Sequence, residues 1–203
     1  TSGTTGKPKG VFQNQRNVLQ WTLGHSNAIH ICAADRLSLM HSHSTGGGML
    51  NIYGALLNGA ALFPFDFRAE GVKLARWIRD ERITIYHSGP LVFRQWVDAL
   101  IGAEAFPELR LIRLSGMPMS AEDVARYRSQ FSPDCLLVHV LGTSEAGTIP
   151  HYFIDKSSKV PQSPMPVGYS IGDSKVFVVD ASGHQAEPAV VGEIAIRSRY
   201  LVC

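Results

Sequence analysis

The most informative stretch of this sequence is Thr1-Ser2-Gly3-Thr4-Thr5-Gly6-Lys7-Pro8-Lys9-Gly10. Its glycines let successive backbone N–H groups face an anion, its hydroxyls add hydrogen-bond donors, and its lysines supply positive charge. The common P-loop is excluded, because that motif needs four residues between its first glycine and Gly-Lys-Ser/Thr, and only two residues separate Gly3 from Gly6. A flexible Gly/Ser/Thr linker has no reason to end in Lys-Pro-Lys-Gly. The stretch therefore predicts a loop that holds phosphate groups.

The composition is that of a folded protein that binds neither nucleic acid nor membranes. Of the 203 residues, 45% are hydrophobic and 18% are charged, which suffices for a substantial core. A net charge of +2 with scattered basic residues does not predict a nucleic-acid-binding surface. No apolar run is long enough to span a bilayer. Three widely spaced cysteines are typical of reduced thiols in a cytoplasmic protein. Because residue 1 already belongs to a ligand loop, we expect an internal fragment of a longer polypeptide.

Short apolar runs alternate with helical patterns from about residue 10 to residue 150. This alternation predicts a layered α/β domain with a largely parallel sheet over residues 1–150. Ser120 is expected to cap a helix, with Asp123 at the capping-box position. After residue 150 two strand-like runs follow with no helix between them, so residues 151–203 predict a linker and the start of a β-rich, antiparallel subdomain.

A second motif, Leu141-Gly142-Thr143-Ser144-Glu145, follows the predicted strand at residues 135–140. Open α/β sheets present their ligand residues at the carboxyl ends of their strands. Mg²⁺ takes hard oxygen ligands, commonly one or two carboxylates together with nucleotide phosphates. Glu145 is therefore the candidate metal ligand.

These two motifs resemble the signatures of the adenylate-forming (AMP-binding) enzymes, most closely the adenylation domains of nonribosomal peptide synthetases. The resemblance implies that ATP phosphates bind at Thr1, Ser2, Gly3, Thr4, Thr5, Gly6 and Lys7. It implies a nucleotide site completed by Ser115, Gly116, Met117, Leu141, Gly142, Thr143 and Ser144, and catalytic roles for Glu145, Ser144 and Lys9. Met117 and Leu141 depart from the family pattern, which more often has a glutamate and an aromatic residue at these positions.

The resemblance further implies an activity. A carboxylic acid would be activated by ATP and Mg²⁺ as an acyl-adenylate, with release of pyrophosphate, before transfer to a thiol of CoA or of a phosphopantetheinyl carrier protein. The fragment alone is expected to be inactive. A degenerate, non-catalytic nucleotide-binding or interaction module is the alternative. The departures at Met117 and Leu141 support it, whereas the intact loop of residues 1–10 and Glu145 argue against it.

The resemblance also implies which residues line the acid pocket. Peptide-synthetase domains that load α-amino acids usually place an aspartate where this sequence has Gly46, and no Asp or Glu occurs from Arg36 to Pro64. A buried ammonium group without a partner is costly, so we expect an acid that lacks a free α-ammonium group. The predicted pocket residues are Gly46, Gly47, Leu50, His87, Arg113, Val140 and Thr148.

Overall fold

The computed structural model describes residues 10–66, 68, 71–100, 106–162 and 164–202, except for the side chains of residues 148 and 149. Nine of the ten residues in the predicted phosphate loop lie outside the described part. The roles assigned to Thr1, Ser2, Gly3, Thr4, Thr5, Gly6, Lys7 and Lys9 therefore stay predictions.

Helices and strands alternate through most of the described chain, as the sequence predicts. The helices are α1 (Gln15–Ala28), α2 (Gly46–Leu57), α3 (Gly71–Asp80), α4 (Pro90–Asp98) and α5 (Ala121–Gln130). The strands are β1 (Arg36–Leu39), β2 (Ala61–Pro64), β3 (Ile85–Ser88), β4 (Leu111–Ser115), β5 (Leu136–Thr143), β6 (Gly147–Ile154), β7 (Tyr169–Ser170), β8 (Lys175–Val179) and β9 (Glu193–Arg197).

Seven of these strands form one sheet in the order β2-β1-β3-β4-β5-β6-β7. The first five in that order run parallel, whereas β6 and β7 are added antiparallel. The strands β8 and β9 pair antiparallel as a separate small sheet. The predicted fold class, a layered α/β domain with a largely parallel sheet followed by an antiparallel unit, is confirmed.

The sequence pattern does not predict β6, which crosses the expected domain boundary. Pro150 lies inside this strand, opposite Ser170 of β7, and a proline within a run argues against a strand because it lacks the N–H group. The large sheet therefore takes in residues on both sides of residue 150. The division of the chain at that residue stays a prediction.

Local signals set where the helices begin. The Ser120 hydroxyl accepts a hydrogen bond from the Asp123 backbone N–H, and the Asp123 carboxylate accepts one from the Ser120 backbone N–H, so the predicted capping box is present at α5. Asn14 and Asn17 make the same reciprocal arrangement at α1. Pro90 occupies the first turn of α4, where its fixed φ suits a helix and its missing N–H costs nothing.

The two faces of the sheet differ, and β4 shows how. Ile112 and Leu114 face α3, α4 and α5 in the larger core, which includes the buried Trp96. Because side chains alternate along a strand, Leu111, Arg113 and Ser115 share the opposite face. Leu111 belongs to a smaller apolar core beneath α1 and α2. Toward the carboxyl end of β4 this face turns polar, and the candidate site lies there.

No helix among the described residues has both the length and the apolar character needed to cross a membrane.

Candidate functional site

A cavity of about 270 Å³ opens at the carboxyl ends of β4 and β5, against α1 and α2. Parallel strands that end at one edge of a sheet bring together residues far apart in sequence, and such edges are where open α/β sheets bind ligands. We call this space the acid cavity, because residues predicted from the sequence to line the acid pocket lie in its walls. It is lined by Trp21, His41, Thr45, Gly46, Gly47, Leu50, Arg113, Ser115, Gly116, Gly142, Thr143, Ser144 and Gly147.

Four of the seven residues predicted for the acid pocket line this cavity together. Gly46, Gly47 and Leu50 come from the first turns of α2, and Arg113 comes from β4. His87 lies buried behind the wall, and Val140 lines a neighbouring cavity instead. The side chain of Thr148 lies outside the described part, so its role stays a prediction.

His87 is held by hydrogen bonds on both ring nitrogens. Its Nδ1 lies 3.0 Å from Asn51 Oδ1, and its Nε2 lies 2.8 Å from Ser115 Oγ. Asn51 Nδ2 donates to the Ser38 carbonyl, so the Asn51 oxygen is the atom that faces the ring and accepts from Nδ1–H. The neutral imidazole then accepts from the Ser115 hydroxyl at Nε2. This network fixes Ser115 at the cavity wall.

Arg113 packs its guanidinium group against the same imidazole. Arg113 Nη1 lies 3.0 Å from each ring nitrogen of His87, and an atom that close to both nitrogens lies over the ring, since a position in the ring plane would overlap the ring carbons. The residue is only 1% exposed. Burial lowers the pKa of Arg113 to about 9, so the guanidinium keeps its positive charge at neutral pH.

The histidines around Arg113 are neutral at neutral pH. Burial, with the nearby Arg113 charge, lowers the pKa of His41 to about 4 and lowers that of His87 well below its ordinary value. The two rings lie 4.2 Å apart between centroids. His25 on α1 is also buried, and burial followed by the Arg113 charge lowers its pKa well below the usual value. Arg113 therefore supplies the positive charge at the floor of the cavity.

A second cavity, of about 350 Å³, lies on the other side of the β4 and β5 ends. We call it the nucleotide cavity, because it contains Gly116, Met117, Leu141 and Gly142, all predicted to bind the nucleotide. Of the remaining predicted nucleotide residues, Ser115, Thr143 and Ser144 line the acid cavity, which shares Gly116 and Gly142 with the nucleotide cavity. The walls of the nucleotide cavity are completed largely by apolar side chains, from Pro118, Val140, Pro164, Met165 and Val167, together with His139.

Gly116 leaves room for a ligand at the point where the two cavities meet. Its φ is +82°, a left-handed conformation that glycine adopts without strain, and a Cβ built there would have no atom within 4 Å. The backbone is thus open toward the cavities. This open backbone fits the close approach of a nucleotide. The apolar walls of the nucleotide cavity suit packing against the flat face of a base.

Glu145 lies beside this site and is exposed. The preceding residue, Ser144, lines the acid cavity and accepts a hydrogen bond at its carbonyl from Gln13 Nε2. Within the described part of the chain, no three His, Cys, Asp or Glu side chains cluster so as to hold a metal ion by themselves. A lone carboxylate suits Mg²⁺ that takes its other ligands from nucleotide phosphates.

A third cavity, also about 270 Å³, adjoins the acid cavity where the chain leaves the predicted phosphate loop. Val11 and Gln13 line it from one side, and Thr45, Gly46 and Ser144 line it from the other. Its position places the residues that directly follow Gly10 next to the motif that contains Glu145.

Sequence patterns missed several residues of this site. Trp21 is expected from its helical spacing to be a core residue, and it is 8% exposed, but it also lines the acid cavity. His25 carries no distinguishing motif. His41 begins a His-Ser-His sequence, but no Cys, Asp or Glu lies near it in the sequence to complete a zinc site, so this pattern did not predict a role for it. Asn51 offered one signal in the sequence, because it is a polar residue within an otherwise apolar helix. In the structure it is only 3% exposed.

The sequence profile of the AMP-binding enzymes matches residues 1–202. The chain belongs to the AMP-binding enzyme family. Its curated relatives include a hybrid PKS-NRPS synthetase of Petromyces alliaceus, 31% identical over 97% of this chain and 5% of that protein. Another is surfactin synthase subunit 1 of Bacillus subtilis, 29% identical over 100% of this chain and 6% of that protein. The chain thus spans only a small part of these relatives.

Several solved structures share the fold. The crystal structure of the nonribosomal peptide synthetase FmoA3 superposes with a TM-score of 0.87 at 25% identity, covering 96% of this chain and 21% of that one. The N-terminal subdomain of Klebsiella oxytoca NpsA in complex with 3-hydroxybenzoyl-AMSN superposes with a TM-score of 0.83 at 22% identity, covering 100% and 51% of the two chains.

Proposed function

We propose that this chain is the central part of an adenylation domain that joins a carboxylic acid to ATP, giving an acyl-adenylate and pyrophosphate. The observation that carries the proposal is the pair of adjoining cavities that share Gly116 and Gly142. One cavity contains a buried cation and several hydroxyl side chains, and the walls of the other are largely apolar. A reaction between an acid and a nucleotide needs two such sites side by side.

The chemistry requires positioning and charge more than covalent help. A carboxylate oxygen of the acid attacks the α-phosphorus of ATP, and the bond from that phosphorus to the pyrophosphate oxygen breaks. Negative charge concentrates at the phosphates, so backbone N–H groups and cations stabilise the transition state. The loop ending at Lys9 would hold the phosphates, and Ser144 would donate to them. Bound Mg²⁺, held by Glu145, would neutralise part of the phosphate charge.

The acid is proposed to lack a free α-ammonium group. Gly46 lines the acid cavity at the position where the family resemblance expects an aspartate, and no carboxylate appears among the described residues that line this cavity. A buried ammonium group needs an anionic partner, whereas Arg113 adds a second positive charge to the same space. Aryl, hydroxy, keto and acyl acids meet this requirement.

The proposed acceptor of the activated acid is a thiol, either of CoA or of a phosphopantetheinyl carrier protein. One neighbour in structure is an artificially fused adenylation-PCP di-domain from Klebsiella oxytoca, which superposes with a TM-score of 0.84. A cytoplasmic location stays a prediction from the cysteine pattern.

ATP–pyrophosphate exchange by the full-length parent protein tests the proposal. Each α-amino acid is assayed beside its deamino analogue, with nucleotide binding measured separately. We expect exchange with acids that lack the ammonium group. A clear preference for an ordinary α-amino acid would overturn the substrate assignment. Nucleotide binding without exchange for any acid would instead support the non-catalytic module.

A further inference from the structure

The candidate metal ligand Glu145 lies at the tip of the hairpin that joins β5 to β6. Thr143 pairs with Gly147 across this hairpin, and the Ala146 backbone N–H donates to Thr143 Oγ1 at 3.1 Å. Gly147 has φ of +71°, a left-handed conformation that lets the chain turn back into β6. We call residues 143–147 the β5–β6 tip. Loop tips are more mobile than the strands that they join, so the place of the Glu145 carboxylate depends on which other segments hold the tip.

The helix α1 and the residues that lead into it contact the β5–β6 tip at two points. Gln13 Nε2 donates a hydrogen bond to the Ser144 carbonyl at 3.3 Å. The Trp21 indole of α1 covers Gly147 so closely that a Cβ built there would lie 2.5 Å from the ring atom Cδ2. Only a glycine permits this approach of the ring to the backbone. Gln13 and Ser144 are 131 positions apart in the chain, so the folded structure alone brings them together.

A third segment, the residues after β9, holds the other side of the β5–β6 tip. The Val202 backbone N–H donates to the Glu145 carbonyl at 3.1 Å. The same segment contacts α1, because the Arg16 guanidinium lies over the Tyr200 ring, 5.4 Å from its centroid. The carbonyl groups on either side of the Glu145 nitrogen and Cα are therefore both held by distant parts of the chain.

The position of Gln13 connects the β5–β6 tip to the predicted phosphate loop. Gln13 follows Gly10, the last residue of that loop, by three positions. The next residue, Asn14, caps α1 through reciprocal hydrogen bonds with Asn17, which fixes the direction of the chain at Gln13. Gln13 and Ser144 both line the third cavity. A loss of the Gln13 bond would let the tip shift relative to the phosphate loop.

We infer that Gln13 is a positioning residue for the Mg²⁺ site: by holding the Ser144 carbonyl, it keeps the Glu145 carboxylate within reach of a metal ion bound to the ATP phosphates. The inference rests on the proposed function and adds a residue to it. Mg²⁺ demands near-ideal octahedral geometry, and a misplacement of about 1 Å in such a site can cost about 100-fold in rate. A neutral amide suits this task, because it donates to a carbonyl and brings no charge that would compete for the metal or the phosphates.

The test measures ATP binding by the full-length parent with titration calorimetry, once with Mg²⁺ and once with EDTA, and needs no turnover. Gln13→Met keeps the length of the side chain and removes the donor. We expect it to weaken ATP binding in Mg²⁺ by about three- to tenfold, as for a lost hydrogen bond, and to change binding in EDTA by less than about twofold. Gln15→Met is the matched control, because Gln15 is exposed in the first turn of α1, and it should bind ATP like the wild type in both conditions.

A double variant separates positioning of Glu145 from a general structural role. If Gln13 acts through Glu145, then adding Gln13→Met to Glu145→Gln should change ATP binding in Mg²⁺ by less than about twofold. Losses that multiply in the double variant, or an equal loss with Mg²⁺ and with EDTA in Gln13→Met, would indicate a structural role and overturn the inference. Unchanged binding by Gln13→Met, beside normal pyrophosphate exchange by the wild type, would overturn the inference and leave the proposed function standing. Failure of the wild type to bind ATP would overturn both.

Discussion

Gly116→Ala separates the role of the site backbone in nucleotide binding from its role in folding. Gly116 has φ of +82°, and a left-handed conformation costs an ordinary L-residue about 1–2 kcal/mol. Part of that cost is offset, because alanine loses less backbone entropy on folding than glycine. The new methyl group would contact no atom within 4 Å, so no packing clash adds to the cost. We expect the free energy of unfolding to fall by about 1 kcal/mol.

Gly183→Ala is the matched control for this strain. Gly183 lies in the connection between β8 and β9, with φ of +80° and equally open surroundings. It lines none of the cavities described above. The two variants should therefore lose similar stability in thermal or urea unfolding of the full-length parent.

ATP binding should tell the two variants apart. The Gly116→Ala methyl group would project into the space proposed for the nucleotide, and overpacking of this kind costs about 1–3 kcal/mol, or roughly five- to 150-fold in affinity. Gly183→Ala should bind ATP like the wild type. Titration of each variant with ATP measures the difference. Equal ATP affinities in the two variants would refute the placement of the nucleotide beside Gly116.

Three other predictions concern the metal, the response to pH and the stability of α5. Glu145→Gln should lower pyrophosphate exchange by about ten- to 1000-fold because Mg²⁺ loses a charged ligand, whereas Glu187→Gln, at an exposed position, should not; exchange within twofold of wild type would remove Glu145 from the site. Burial lowers the pKa of His41 to about 4 from its ordinary 6.5, so the neutral ring stabilises the fold fully above pH 6.5 and up to about 3 kcal/mol is lost as the pH falls toward 4. His41→Gln should reduce this pH dependence in urea titrations run between pH 4 and 7, with the remainder due to the buried His25 and His87; an unchanged slope would contradict the assignment. Asp123→Ala should cost about 2–4 kcal/mol in the same assay, because it removes the carboxylate half of the α5 capping box and two hydrogen bonds from Arg94 at 2.7 and 2.8 Å; a loss below about 1 kcal/mol would contradict this role for the Asp123 carboxylate.

Local sequence signals predicted much of the secondary structure, because they act within a few residues. The capping box of Ser120 and Asp123 and the proline at the start of α4 each place a helix start. Apolar runs such as residues 109–114 and 135–140 predicted β4 and β5 to within about three residues at each end. The hairpin of β5 and β6 escaped prediction. Its register shifts between Val140 and Gly142, and β6 contains a proline, so neither strand shows a clean alternating pattern there.

The sequence by itself determined the family, the α/β class and the edge of the sheet where the candidate site is expected, because motifs placed directly after strands must meet at the carboxyl ends of a parallel sheet. Only the tertiary structure decided how these residues divide between two cavities, with Val140 in one, Arg113 in the other and Gly116 in both. It also decided that His87 and Arg113 stack, since their adjacency comes from the pairing of β3 with β4 across 26 residues. Charge, burial and protonation in this site depend on contacts between distant segments, and no local pattern encodes such contacts.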